Sequence, residues 1–235
     1  MSPSKSPPIT NRLLAALPKK DYQSLHRHFE EVPLVFEELL YRPNVLITDV
    51  YFPNSGIVSL LAGVNGRSTL EVGLVGNEGM VGLSVFFGVN SSINRAVVQG
   101  AGSALKMKAT VLRRECNNGG VLLRILRRYS HSVLTQITQS AVCNQFHSVD
   151  ARLARWLLMT HDRMGDDEFQ LTQEFLSHML GVRREGVSIA AADLQRRELI
   201  SYSRGRLKVL DRPGLEATSC GCYEIIRDEP QSSKN

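Results

Sequence analysis

The sequence is poor in cysteine and has no long apolar run, and each shortage excludes a class of protein. Four Cys in 235 residues, at positions 116, 143, 220 and 222, form no evenly spaced framework. That excludes a disulfide-stapled mini-protein and leads us to expect free thiols in a reducing cytoplasm. No stretch approaches the roughly 18 apolar residues that a membrane span needs. The first ten residues, MSPSKSPPIT, hold one Lys and no apolar segment, so no secretory signal is expected. No GxSxG, P-loop or GxGxxG follows a strand-like run, and the carboxylates are dispersed. Glu37-Glu38 and Asp166-Asp167-Glu168 read as loop or solvated-face charges, and no enzyme is expected. What remains is an ordinary globular composition, 43% hydrophobic and 22% charged, sized for one or two domains.

Charge is unevenly placed. The whole chain carries a net charge of +5. Residues 183–212 hold 8 basic and 4 acidic side chains, and the flanking segments 147–182 and 213–235 are net acidic. A basic stretch between acidic ones fits a surface that meets a polyanion, although solvated surfaces also show it.

The pattern of residues divides the chain. Residues 1–11 read as a loose tail, with Pro and Ser concentrated in 1–8. Two short amphipathic helices fit Asn11–Leu17 and Asp21–Phe29. From Val32 to Met107, short runs rich in Val, Ile, Leu, Tyr and Phe are separated by Gly/Asn turns such as Asn65-Gly66, which predicts an all-β barrel or sandwich. A short helix is predicted over Ala109–Cys116 and, beyond Asn117-Asn118-Gly119-Gly120, a long one over Val121–Phe146. Leu122, Leu126, Tyr129, Val133 and Ile137 recur on it at near-heptad steps, the pattern of a helix that pairs with its own copy. The same stripe would also suit packing within one domain.

The most informative segment is Leu171–Leu210. Thr172 is a good N-cap for a helix over Gln173–Leu180, and Gly181 stands where a left-handed residue ends a helix. A second helix follows to about Arg197, with Val187, Ala190, Ala191 and Leu194 inward. This is a helix-turn-helix, a motif whose second helix turns its N-terminus to the DNA major groove. Arg183, Arg184, Glu185 and Ser188 occupy that end and are the candidate base readers. Arg can pair with guanine and Glu can accept from cytosine. The runs Leu199–Tyr202 and Arg206–Leu210 predict a hairpin wing. Arg204, Arg206 and Lys208 on it, with Thr172 and Gln173 at the helix start, are candidate phosphate contacts. Gly186 inside the second helix costs about 1 kcal/mol relative to Ala.

This layout resembles the Crp/Fnr family of bacterial transcription regulators. The resemblance spans about 12–215, and LTQEFLSHMLGVRREGVSIAAADLQRRELI, VYFPNSGIVSLL and VGNEGMVGLSVFFG carry it. It implies an α+β fold: a cyclic-nucleotide-binding-like roll over 12–118, a dimerisation helix over 119–146, and a winged helix-turn-helix over 147–217, followed by a loose tail over 218–235. Implied partners are double-stranded DNA, a second copy of the chain, RNA polymerase and an unidentified small-molecule effector. Arg184 and Glu185 match the family's base-reading pair. A further base-reading Arg of the family falls on Ile189.

The family's cyclic-nucleotide site needs a Gly-Glu pair and an Arg-Ser-Ala sequence. Here Leu83 follows Gly82, and the other segment reads Asn94-Arg95-Ala96. An effector other than cyclic AMP is therefore expected, with Glu78, Gly82 and Arg95 as candidate ligand contacts. A cyclic-nucleotide-responsive regulator and a cupin-like small-molecule-binding protein remain as alternatives. The family's oxygen sensors use an N-terminal Cys cluster, which is missing before Cys116. Cys116 and Cys143 read as small buried residues. Cys220-Gly221-Cys222 could bind a metal or oxidise. No second Cys pair or His lies near it in sequence, so no metal and no cofactor are expected.

Overall fold

The computed structural model describes residues 9–64 and 68–232. Glu30–Leu34 (β1), Asp49–Pro53 (β3) and Gly102–Lys108 (β7) make one antiparallel sheet, in the order β1-β7-β3. Leu39–Tyr41 (β2), Ile57–Val64 (β4), Ser68–Val75 (β5) and Arg95–Gly100 (β6) make a second, in the order β2-β6-β4-β5. Leu34, Val58, Val75, Val98 and Ala104 fill the space between the two sheets. The result is the expected roll. The β4–β5 ladder closes at Val64↔Ser68, so the expected Asn65-Gly66 turn lies outside the described residues.

Four helices cover the outer face of the first sheet: Arg12–Ala15 (α1), Lys19–His26 (α2), Ala109–Asn117 (α3) and the first half of Val121–Phe146 (α4). Leu14, Leu25, Phe52, Met107, Leu112 and Leu126 form their shared core. Asn11 is fully buried. Its side chain caps α1 and donates to Pro53 O and Gly79 O, each at 2.9 Å. Residues 9–11 are thus anchored and the loose tail expected there is corrected. Residues 1–8 lie outside the described residues.

The long helix has its expected bounds, but its stripe points elsewhere. Leu122, Leu126 and Tyr129 are buried in the core of their own chain. Tyr129 Oη donates to Met80 O at 3.1 Å, and a Cβ on Gly79 would come within 2.4 Å of that hydroxyl oxygen. Val133 packs partly on the same core and Ile137 is half-buried. The expected dimer stripe is therefore corrected for the first three positions: the roll already occupies that face.

The second half is helical around a small sheet. Val149–Met164 (α5), Gln173–Leu180 (α6) and Arg184–Arg196 (α7) are followed by Ile200–Ser203 (β9) and Arg206–Val209 (β10). Glu168–Gln170 (β8), not anticipated from sequence, joins this sheet in the order β8-β10-β9. Trp156, Leu157, Leu176, Val187, Leu194 and Leu207 build its core, which runs on into Ile57, Leu61 and Leu74 of the roll. Roll and helix-turn-helix thus share one continuous apolar interior.

Arg212–Thr218 (α8) and Cys222–Ser232 (α9) finish the described chain. Tyr223 is only 1% exposed. Its hydroxyl donates to Asp162 Oδ2 at 2.9 Å and accepts from Arg212 Nη2 at 2.8 Å. The loose tail expected from 218 onward is corrected: a buried aromatic and its polar tip fasten α9 to α5.

Candidate nucleic-acid interface

The interface is built by α6, the turn at Gly181, α7 and the β9–β10 wing. Thr172 Oγ1 accepts from Phe175 N at 3.0 Å, capping α6. Gly181 ends it with φ 62°. A Cβ there would stand 2.7 Å from Leu70 Cδ1 of β5, so the turn sits directly on the roll. α7 buries Val187, Ala190, Ala191 and Leu194 and turns its other face to solvent. Its N-terminus presents Arg183, Arg184 and Glu185, all exposed.

Ser188 departs from expectation. Its half-buried hydroxyl lies 3.0 Å from Gln173 Oε1 and 2.9 Å from Arg184 O. Its single proton goes to one of these two acceptors, and either way the hydroxyl sits against Gln173 of α6. Gln173 is occupied by the same contact and Thr172 by its cap. A residue given no role from sequence stands out instead: Ile189 is 66% exposed on the solvent face of α7. The sequence signal was its place where the resembled family carries a base-reading Arg.

The wing is a tight hairpin. Ser203 pairs with Arg206, leaving Arg204 and Gly205 as a two-residue turn. Both have positive φ, 50° and 77°, as a primed hairpin turn requires. Non-glycine residues rarely adopt that conformation. Ile200, Leu207 and Val209 face inward, whereas Ser201, Ser203, Arg206 and Lys208 face out. The outer residues line a shallow concavity of about 590 Å³ with Arg204 and Glu168. Arg206 stands 3.8 Å from the Glu168 carboxylate, a weak surface pair. Gly205 O accepts from Leu171 N at 2.7 Å, which brings the wing tip beside the start of α6. The fold thus gathers Thr172, Arg204, Arg206 and Lys208 in one region of the surface.

The candidate ligand residues of the roll line neither the concavity at the wing nor the cavity beside α5. Glu78 Oε1 accepts from Arg163 Nε at 2.8 Å and from Gly76 N at 3.2 Å. It is an ion pair between the roll and α5. Gly82 has φ 94°, and a Cβ there would lie 2.9 Å from Val50 Cγ1, so backbone geometry explains this glycine. Arg95 is half-buried, and its Nε has no hydrogen-bond partner. A cavity of about 190 Å³ lies elsewhere, between roll and α5, lined by Phe36, Gln99, Thr160, Met164 and Phe169 among others. The thiols also differ from expectation. Cys143 and His147, on and just beyond the last turn of α4, meet Cys220 and Cys222, which the sequence had set apart from any further ligand.

Residues 151–218 match the family model of the Crp-like helix-turn-helix domain. Over most of its length the chain has the fold of Crp/Fnr regulators. FixK2 from Bradyrhizobium japonicum superposes with a TM-score of 0.70 at 16% identity, covering 82% of this chain and 98% of FixK2. A Crp/Fnr-family transcriptional regulator from Thermus thermophilus gives 0.67 at 21% identity, covering 81% and 98%. The c-di-GMP-responsive global regulator CLP of Xanthomonas campestris gives 0.65 at 16% identity, covering 82% and 99%. A comparison with curated protein sequences returned no match. Among the described residues no helix is long and apolar enough to cross a membrane.

Proposed function

We propose that this protein is a sequence-specific transcription regulator that binds double-stranded DNA as a homodimer in the cytoplasm. The exposed Arg183-Arg184-Glu185 tip of α7 carries the reading, because it lies beside a wing whose outer face is basic. Arg184 and Glu185 read base edges in the major groove. Arg204, Arg206, Lys208 and the start of α6 hold the phosphate backbone and set the register.

The dimer forms along α4, on the face that the roll leaves uncovered. Exposed residues recur there as Arg127, His131, Leu134, Thr138, Ala141 and Gln145, alternating steps of four and three as in a paired helix. Two copies so joined bring two α7 helices to half-sites about 34 Å apart. The effector at the roll is not cyclic AMP. Glu78 is engaged by Arg163, Leu83 offers no carboxylate for a ribose, and Gly82 packs on Val50. RNA polymerase is the further partner that a DNA-bound regulator of this type would contact.

Selection of fragments from a genomic library, followed by titration of the enriched sites at two salt concentrations, tests the proposal. A shared half-site motif and affinity that falls as salt rises are expected. No binding at low salt would overturn it.

A further inference from the structure

We propose that Cys143, His147, Cys220 and Cys222 form a closed, tetrahedral site for one Zn²⁺ ion per subunit. The four ligand atoms all lie within 4.8 Å of one another. Tetrahedral zinc, with Zn–S near 2.3 Å and Zn–N near 2.0 Å, needs ligand atoms about 3.5–3.8 Å apart. Cys143 Sγ stands 3.4 Å from Cys220 Sγ, and Cys222 Sγ stands 3.5 Å from His147 Nδ1. Small side-chain rotations therefore suffice to seat the ion. An iron–sulfur cluster holds its cysteines much farther apart around several metal atoms, so the compact cluster suits a single ion. Three thiolates with one imidazole are a soft donor set that favours zinc over magnesium or calcium.

The local chain explains why these residues meet. Cys143 lies in the last turn of α4, and His147 follows that helix directly, its N–H donating to Cys143 O at 3.1 Å. Cys220-Gly221-Cys222 forms the entry to α9, which packs along α4. Cys143, Cys220 and Cys222 are all buried, and among the described residues the half-buried Ala151 packs against them. Three thiols facing one another form a poor hydrophobic cluster, but with His147 they make up the four ligands of a tetrahedral site. With every ligand position filled by protein, the site is structural rather than catalytic.

The surroundings supply an independent observation. Arg152 and Arg155 are buried on α5, and the Nε of each lacks a hydrogen-bond partner. Both lie close enough to interact electrostatically with Cys143, and Arg152 also does so with Cys220. Zn²⁺ with three thiolates and a neutral His carries one net negative charge. Arg152 is also held by Leu180 O and Arg155 by Met159 Sδ, and the occupied site would lower the net charge of this buried group from +2 to +1. Gln139 Nε2 donates to Cys222 Sγ at 3.3 Å, an outer contact of the kind that orients metal ligands. Binding displaces the three thiol protons to solvent. The ion would staple the start of α9 to the C-terminal end of α4.

The test uses untagged, full-length protein, reduced and stripped of metal, titrated with Co²⁺ and then Zn²⁺. We expect one equivalent of cobalt, visible absorption bands of tetrahedral geometry with thiolate-to-cobalt bands in the near ultraviolet, and bleaching by one equivalent of zinc. Cys222→Ser and His147→Gln should each weaken zinc binding by more than about 100-fold, since losing even an outer contact costs roughly 10–100-fold. Gln139→Ala should weaken it less, and Cys116→Ala, remote from the site, should leave it intact. A reduced wild-type chain that gives no tetrahedral cobalt spectrum would overturn the proposal. So would undiminished binding in Cys143→Ser/Cys220→Ser. A thiol count showing only a Cys143–Cys220 disulfide, with no metal taken up after reduction, would assign the cluster to redox chemistry instead. None of these readouts depends on DNA binding.

Discussion

Trp156 Nε1 donates to Glu71 Oε1 at 2.9 Å, joining α5 of the helix-turn-helix domain to β5 of the roll across 85 positions of sequence. The contact continues through a buried polar chain. Ser59 Oγ lies 2.7 Å from Glu71 Oε2 and 2.5 Å from Gln99 Oε1, while Gln99 Nε2 donates to Thr160 Oγ1 at 3.3 Å. Ser59 has one proton and faces two acceptors. A protonated Glu71 resolves this by donating to Ser59, which then donates to Gln99.

Burial raises the Glu71 carboxyl from 4.5 to about 7, against the opposing pull of its Ser59 and Trp156 partners and the Arg155 and Arg163 charges. The folded state therefore holds this proton where the unfolded chain has lost it. Stability is greatest below the unfolded value and falls as pH rises through about 7, by roughly 3 kcal/mol in total. Thermal unfolding of the wild type should shift to lower temperature between pH 6 and pH 8. Glu71→Gln, which keeps a neutral donor, should flatten that dependence and be the more stable at pH 8. An unchanged pH slope in the variant would show that Glu71 is not the titrating group.

The Arg204 turn separates stability from binding. Its φ of 50° is tolerated better by Asn than by Arg. Arg204→Asn should leave the fold equally stable or up to about 1 kcal/mol more stable. It should also weaken DNA binding uniformly across sequences and reduce the salt slope by about one phosphate contact. Calorimetry with fluorescence titration at several salt concentrations reads both. Full affinity with an unchanged slope would remove the wing tip from the interface.

Two neighbours on α7 should act differently. Arg184→Ala should cost about 1–3 kcal/mol at the cognate site and relax preference at one base pair. Ile189, two-thirds exposed, contributes little to the core. An apolar side chain at the groove can contact a thymine methyl group. Ile189→Ala should leave the melting temperature within error and lower discrimination at an A·T position. Binding to a panel of single-base variants checks both, and equal losses on every sequence would make either residue a backbone contact.

Local physics made much of this fold legible in the sequence. Gly119-Gly120 and the unbroken run after it set the bounds of α4, and the Thr172 cap with the Gly181 stop set those of α6. Long-range packing was not legible. The α9 helix is fixed by Tyr223 reaching Asp162, 61 positions away. Cys143 and Cys220 are 77 positions apart and meet only because α9 lies along α4. The phase of α4 was misread because the helix carries apolar residues on more than one face. The roll, rather than the helix itself, decides which face is covered. At the interface, the exposed Arg tip and the wing followed from pattern, but Ser188 turned inward to a partner that only the packing of α6 supplies.

The phase of α4 gives the last prediction. Leu134 is 61% exposed at the middle of the uncovered face, and Leu126 is fully buried in the roll. Placing a charge at each position should give opposite outcomes. Leu134→Glu buries nothing within one subunit, so the roll should keep its stability while the paired helices repel; light scattering should show a folded monomer that has lost tight binding to a two-fold site. Leu126→Glu puts an unpaired carboxylate into the core, at several kcal/mol, and should unfold the roll before it changes the assembly. If Leu134→Glu remains a dimer of full affinity, the two copies do not meet through this face of α4.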